Sequence, residues 1–370
     1  MDKPRILFIP VSSLSGIGEY MRSLIIANAV QAKYPHADIH FLLNREVGYQ
    51  KNCPYTVHLS NGSATKDTNS VNKLIQELHP DLVIFDASGR AKQFKQAKKS
   101  GALVAFISQH KAKRSRGLKL NRLFHTDVHW VVQPSFCIEP LTLFEKMKLT
   151  LFKKPRPKNI GAVFTEPKLA NKDEVFSNHS LMNEAYILFN AGSGGHKNKG
   201  ELSTDLYYLA AQKIHQKTGI KCVVIFGDNY PHEIPVHGGD SDILCIKSLS
   251  NEDFVVLLNH AKACVVSAGD TLLQCIELKK PTVAAAVSKD QPRRLRTCAQ
   301  EGLVLAAKLT VNDLYHQTCL VLEHSQQVHL ISRMEKQGAL SALNTLMTDI
   351  DLLLSTPVAA LDSVKNKLND

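Results

Sequence analysis

A chain of 370 residues is longer than one ordinary hydrophobic core supports, which points to two domains. Hydrophobic residues at 44% and charged residues at 21% are ordinary globular values and exclude a wholly disordered or fibrous protein. Forty-five Lys and Arg against 34 Asp and Glu leave a net charge of +11, and no apolar run reaches the ~18 residues that a membrane-spanning helix needs.

The opening run Ile6-Leu7-Phe8-Ile9 is too short for a signal peptide and reads as a first strand. Helical periodicity follows over 20–32, then a strand over 39–43, a helix over 71–78, and buried strands over 82–85, 103–107 and 128–132. Continuous apolar runs alternating with amphipathic helices specify a parallel sheet covered on both faces. The segment 152–173, with Pro155, Pro157 and Pro167, reads as the domain linker. A second alternation then gives strands over 186–189, 222–226, 243–246, 263–266 and 281–287, with helices over 206–216, 251–260 and 271–278. The tail over 311–368 is almost all helical. The fold class is α/β, two doubly wound Rossmann-like domains: an N-terminal one over 1–163, and a C-terminal one over 164–339. A last helix over 340–370 could pack back on the first.

The positive charge is local. Eleven basic and no acidic residues lie between Arg90 and Arg122, and Lys146, Lys148, Lys153, Lys154, Arg156 and Lys158 follow. Such a field attracts phosphate in nucleotides, nucleic acid or an anionic membrane, or serves only as a solvated face. Aromatic residues are 6% of the chain and hardly interleave with the basic run, so no nucleic acid is expected as a partner. The eight cysteines form no CxxC pair, which argues against zinc and suits a reducing cytoplasm.

Ligands of doubly wound sheets bind at the carboxyl ends of strands, so the loops there are the candidates for chemistry. After the first strand, Ser15, Gly16 and Gly18 make a turn that approaches a ligand closely, and Glu19 opens the next helix. Its carboxylate either faces a ligand or is a first-turn acid favoured by the helix dipole. After the strand ending at Phe189, Gly192, Ser193, Gly194, Gly195, His196 and Lys197 suit a pyrophosphate, although neither GxGxxG nor a P-loop is present. In the third loop Gly269, Asp270 and Thr271 begin a helix whose amino end is an anion site by geometry. Gln274 follows one turn later, and Gln291 further on. Asp270 or Thr271 capping an ordinary helix is the plainer alternative.

These residues carry a resemblance. The stretch from Gly16 to Ala27 resembles the first loop of UDP-sugar hydrolases of pseudaminic acid synthesis, and 33–39 is similar to the start of bacterial heptosyltransferases. The stretch from Ser267 to Gln291 resembles the donor-binding signature of the peptidoglycan UDP-N-acetylglucosamine transferase and its relatives. All have the GT-B architecture, two Rossmann-like domains facing across a cleft. The resemblance implies an N-terminal acceptor domain and a C-terminal nucleotide-sugar domain, with Glu19 as catalytic base. Gly192, Ser193, Gly194, Gly195, His196, Lys197, Gly269, Asp270, Thr271 and Gln291 would hold the donor. Ile246 would lie near the nucleotide base and Gln274 at the ribose. Ser108 and Gln109 stand where the hydrolases have an acidic pair, which weighs against hydrolysis.

The expectation is therefore a metal-independent, inverting glycosyltransferase that needs no cofactor beyond its nucleotide-sugar donor, acting on a lipid-linked or polysaccharide acceptor of the bacterial envelope. It would sit in the cytoplasm against the inner face of the membrane. Ser15, Gly16, Gly18, His110, Lys111, Lys113, Arg114 and Arg116 are the expected acceptor or membrane contacts. The alternatives are a nucleotide-sugar hydrolase or epimerase of the same fold, and a non-catalytic protein that binds through its basic surface.

Overall fold

The computed structural model describes residues 3–11, 17–166, 172–235 and 243–355. The chain divides into two compact units, Met1–Phe164 with Ser341–Asp370, and Thr165–Leu340. Ile6 and Phe8 enter one core while Leu7 and Ile9 enter another, because successive side chains of a strand point to opposite faces. An apolar run without polar alternation thus fills both sides of a sheet.

In chain order the first unit runs β1 (Arg5–Pro10), α1 (Gly18–Lys33), β2 (Asp38–Asn44), β3 (Thr56–Ser60), α2 (Thr68–Leu78), β4 (Leu82–Asp86) and α3 (Ala91–Lys99). It continues with β5 (Leu103–Ser108), α4 (Lys111–Gly117), α5 (Leu120–Leu123), β6 (Val128–Val131), α6 (Leu143–Leu151) and β7 (Lys158–Asn159). The strands form one parallel sheet in the order β3-β2-β1-β4-β5-β6-β7. From β1 the chain moves outward to β3 and returns to β4 on the other side, so β1 and β4 flank the switch point. The edge strand β3 escapes the sequence reading because its Thr, His and Ser interrupt any apolar run. Helix α3 escapes it because Phe94 and Ala97 are its buried apolar residues among lysines.

The second unit holds α7 (Lys172–His179), β8 (Tyr186–Asn190), a hairpin of β9 (Lys197–Asn198) and β10 (Glu201–Leu202), α8 (Ser203–Thr218), β11 (Lys221–Ile225) and β12 (Ile243–Ile246). Then come α9 (Asn251–His260), β13 (Ala263–Ser267), α10 (Asp270–Glu277), β14 (Thr282–Ala285), α11 (Gln291–Gln300), β15 (Leu305–Ala307), α12 (Val311–Val321) and α13 (His324–Gln337). Its main sheet is parallel, in the order β12-β11-β8-β13-β14-β15, with the switch point between β8 and β13.

A last helix, α14 (Leu343–Ser355), belongs to the first unit. Its Leu346, Ile350 and Leu353 join the core of Ile6, Phe8 and Trp130. The buried carboxylate of Asp349 accepts from Trp130 Nε1 at 2.8 Å and Lys158 Nζ at 3.1 Å. The rest of the tail expected to be helical, 356–370, lies outside the described residues.

Candidate functional site

In the second unit the loops after β8 and β13 leave adjacent strands at the switch point, and they touch. A methyl group built on Gly192 would lie 3.3 Å from Ser267 Oγ and 3.8 Å from His196 Cδ2, and one on Gly269 would lie 3.4 Å from Gln291 Nε2. Gly192, His196, Gly269 and Gln291 are therefore brought together, with Ser267, which the sequence reading did not single out as a ligand. Asn190 shapes the first loop, its Oδ1 accepting from the Gly192 amide at 3.1 Å while its amide donates to Ile225 O at 3.0 Å.

The glycines here serve packing. Gly194 has φ +92°, and a methyl there would sit 2.4 Å from Phe226 O and 2.7 Å from Tyr230 N. Gly227, at φ +90°, faces Ser193 just as closely. The two loops interlock backbone to backbone, which only residues without Cβ allow. Gly227 also donates to Lys247 O at 2.9 Å, which ties in the end of β12 next to Ile246.

Helix α10 begins at Asp270, one residue earlier than expected, with Gly269 as N-cap and no side chain capping it. Neither Asp270 nor Thr271 is the cap. The partial positive charge of this end attracts an anion. Asp270 would oppose that, but Arg294 offsets it at 3.2 Å and also donates to Ala268 O at 2.9 Å. Arg294 is buried beneath the loop and was not legible in the sequence. Ser193 Oγ and Gln274 Nε2 are buried without a hydrogen-bond partner, a state that costs about 1–3 kcal/mol each. Gln274 is only 6% exposed and does not stand on the surface. Gln291 Oε1 accepts from Val287 N at 2.8 Å, which leaves its amide pointing to Gly269.

The loop 192–197 does not open a helix: it runs into the β9–β10 hairpin, because Gly200 at φ +93° turns the chain before α8 can start. Lys197, at the start of this hairpin, lines a cavity of about 300 Å³ with Asp205 and His232.

In the first unit Glu19 lies in the first turn of α1, directly after β1 and so beside the switch point. It is half-buried, and the helix has no side-chain cap. Ser15 and Gly16 lie outside the described residues, whereas Gly18 is exposed at the helix start. Across the switch point the fully buried Asp86 ends β4 and takes two bonds from Arg22, Nε at 2.8 Å and Nη2 at 2.7 Å. This brace fixes α1 to β4 beneath Glu19. Lys113 Nζ donates to Ala87 O at 2.9 Å, and Ala87 holds a left-handed φ of +52°. Burial pushes the Lys113 ammonium below the usual lysine value, while the carboxylates of Glu19 and Asp86 work in the opposite sense. Glu19, Lys113 and the strained loop after β4 therefore share one electrostatic environment.

Of the expected acceptor contacts, Arg114 is corrected. It is 2% exposed and its guanidinium donates to Glu139 O at 2.6 Å and Pro140 O at 3.0 Å, with Glu145 at 3.8 Å. It is an interior strut that ties α4 to the loop before α6. His110 is the N-cap residue of α4, half-buried, whereas Lys111 and Arg116 are exposed.

No protein-family model and no curated protein matches the chain. Among solved structures it is similar to a spinosyn forosaminyltransferase, with a TM-score of 0.64 and 12% identity over 95% of this chain and 100% of that one. The glycosyltransferase SnogD from Streptomyces nogalater gives a TM-score of 0.60 at 12% identity, covering 94% of this chain and 99% of that one. A putative UDP-N-acetylglucosamine 2-epimerase from Listeria monocytogenes gives 0.59 at 14%, covering 96% and 97%. The chain thus has the fold of GT-B glycosyltransferases, two Rossmann-like α/β domains in tandem.

Proposed function

We propose that this chain is a glycosyltransferase that takes a sugar from a nucleotide-sugar donor bound by the second unit, with Glu19 of the first unit as catalytic base. The observation that carries the reading is the convergence of the β8 and β13 loops with the uncapped end of α10, where main-chain N–H groups and the unpartnered Ser193 hydroxyl suit a diphosphate. The acceptor hydroxyl oxygen attacks the anomeric carbon, Glu19 takes its proton, and the carbon–oxygen bond to the diphosphate breaks with the electron pair leaving on phosphate. The developing charge is met by α10 and the loop amides, a route that calls on no metal ion and inverts the anomeric centre.

The acceptor we propose is lipid-borne, reached at an anionic membrane surface of the bacterial cytoplasm. Among the described residues no helix is long and apolar enough to cross a membrane. Helix α6, however, exposes Leu143 (85%), Phe144 (64%), Met147 (60%) and Leu151 (71%) on one side, with Lys146, Lys148, Lys153 and Lys154 around them. Apolar side chains ringed by lysine suit the headgroup region of an anionic bilayer.

Thermal unfolding against UDP, ADP, GDP, CMP and their sugar conjugates tests the donor reading. A ligand at ~100 times its dissociation constant adds about 2.7 kcal/mol. No shift with any of them rejects a nucleotide-sugar enzyme. With the donor fixed, Glu19→Gln should lower sugar transfer at least ~100-fold while nucleotide affinity stays within twofold. Undiminished transfer removes Glu19 as base, and equal sugar release with and without acceptor points to a hydrolase.

A further inference from the structure

Within the first unit, α3 and α5, the segment before α2 and the end of α4 line an open cavity of about 640 Å³. Six cations line it, Lys66, Arg90, Lys92, Arg116, Lys119 and Arg122, and no carboxylate does. Among the described residues none of the six makes an ion pair, although salt bridges form elsewhere on the same helices, as between Lys98 and Asp127. Asp67 caps the amino end of α2, whereas α3 and α5 carry no side-chain cap. The formal charge at the cavity comes from the six side chains.

Arg122 is the informative residue. It is 6% exposed, its Nη2 donates to Gly89 O at 2.5 Å, and its guanidinium lies 5.6 Å from the Phe94 ring centre. Its Nη1 is buried with no partner. A dry, unpaired guanidinium nitrogen is costly unless something accepts from it. Burial pulls the Arg122 pKa down to about 10, and Arg116 and Arg90 push it the same way, so the cluster repels itself. Arg90 is nevertheless held in place by Nε donating to Thr65 O at 3.0 Å. Six uncompensated cations exceed what one monoanion neutralises, and a guanidinium fork matches phosphate oxygens.

We propose that this cavity binds a diphosphate or a comparable multiply charged phosphate group, as a site distinct from the donor loops of the second unit. Helix α5 suggests two sources of that chemistry. Lys119, Asn121 and Arg122 face the cavity, while Leu120 and Phe124 are exposed and Lys154 lies 5.4 Å over the Phe124 ring. The phosphate group is thus either free in solution or the headgroup of a lipid whose chain meets this apolar margin. The site does not rest on the transferase reading, since binding alone defines it.

The test is titration calorimetry of the full chain with inorganic pyrophosphate, comparing wild type with Lys92→Glu/Arg116→Glu, whose altered residues are exposed, and with Lys92→Arg/Arg116→Lys. One pyrophosphate should bind at least ~10-fold more weakly to the charge-reversed protein and recover in the conservative one, while nucleotide affinity stays unchanged in all three. Vesicles of phosphatidylcholine with a few per cent polyprenyl diphosphate form the second arm. Sedimentation with these, but not with phosphatidylcholine–phosphatidylglycerol vesicles of equal charge, assigns the lipid-borne source. Pyrophosphate binding that the charge reversal weakens, without such sedimentation, assigns the soluble one. Absence of both, or equal pyrophosphate affinity in wild type and the charge-reversed protein, overturns the proposal.

Discussion

Replacing Asp86 by Ala should destabilise the first unit more than most single substitutions. Asp86 is fully buried, and Arg22, which holds it through bonds of 2.7 and 2.8 Å, is only 3% exposed. Removing the carboxylate leaves a guanidinium in the core, and breaking such a pair costs about 3–5 kcal/mol. Trp130 is the single tryptophan of the chain and lies buried in β6 of the same unit, so its fluorescence follows that unit alone. With a urea dependence of roughly 1–3 kcal/mol per molar, the midpoint should fall by about 1–5 M. Arg22→Met/Asp86→Leu should recover most of the loss, because a buried pair replaced by apolar residues is often neutral. The recovered double variant should keep its nucleotide affinity but transfer sugar slowly, since the brace under the Glu19 helix is gone. A midpoint for Asp86→Ala within 0.5 M of wild type (a shift worth roughly 1 kcal/mol), or single effects that simply add in the double variant, would refute the reasoning.

Gly194→Ala places a methyl 2.4 Å from Phe226 O at a φ of +92°, so strain and overpacking together should cost the second unit about 2–4 kcal/mol and weaken nucleotide binding, read by calorimetric unfolding. Burial pushes the His129 pKa down to about 3, against about 6.5 for an unfolded chain. Between these values the unfolded chain binds a proton that the folded one refuses. The contribution is complete above about pH 6.5 and declines by up to ~1.4 kcal/mol per unit as pH falls toward 3. Trp130 unfolding at pH 7 and pH 5 should show that slope, and His129→Gln should flatten it; an identical slope in the variant would exclude His129 as its source. Met147→Glu/Leu151→Glu puts two charges on the exposed side of α6 and should lower partitioning onto phosphatidylglycerol vesicles at least ~10-fold, without changing soluble nucleotide affinity. Unchanged partitioning removes α6 as the contact.

The parallel sheets were legible because runs such as Ile6–Ile9 and Ile84–Phe85 bury both faces, and a strand covered on both sides has no reason to alternate. The loops after β8 and β13 were legible for the same topological reason, since a glycine-rich stretch after a buried strand has few other uses. What stayed hidden depends on distance along the chain. Arg22 and Asp86 are 64 residues apart, and nothing local marks them as a pair. Arg294 is one of several basic residues of α11, and only its position under Ala268 distinguishes it. The basic run misleads in a similar way: Arg114 and Arg116 are two positions apart, yet one is interior and the other lines a cavity. A short helix divides its residues by face, and net charge does not record which face.

The same division explains why a missing helix cap alone is weak evidence for a site. Helices α6, α9 and α12 are capped by Thr142, Ser250 and Thr310, whereas α1 and α10 have no side-chain cap, but neither do α8 and α13. What separates α1 and α10 is where they begin. Each follows a strand that borders a switch point, where neighbouring connections depart in opposite directions and leave a crevice at the strand ends. Each start is tied down by an arginine–carboxylate pair, the buried Arg22 with Asp86 and the buried Arg294 with the partly exposed Asp270. Holding an uncapped helix end still is costly without a ligand and useful with one, because donors already in place need no reorganisation when charge develops.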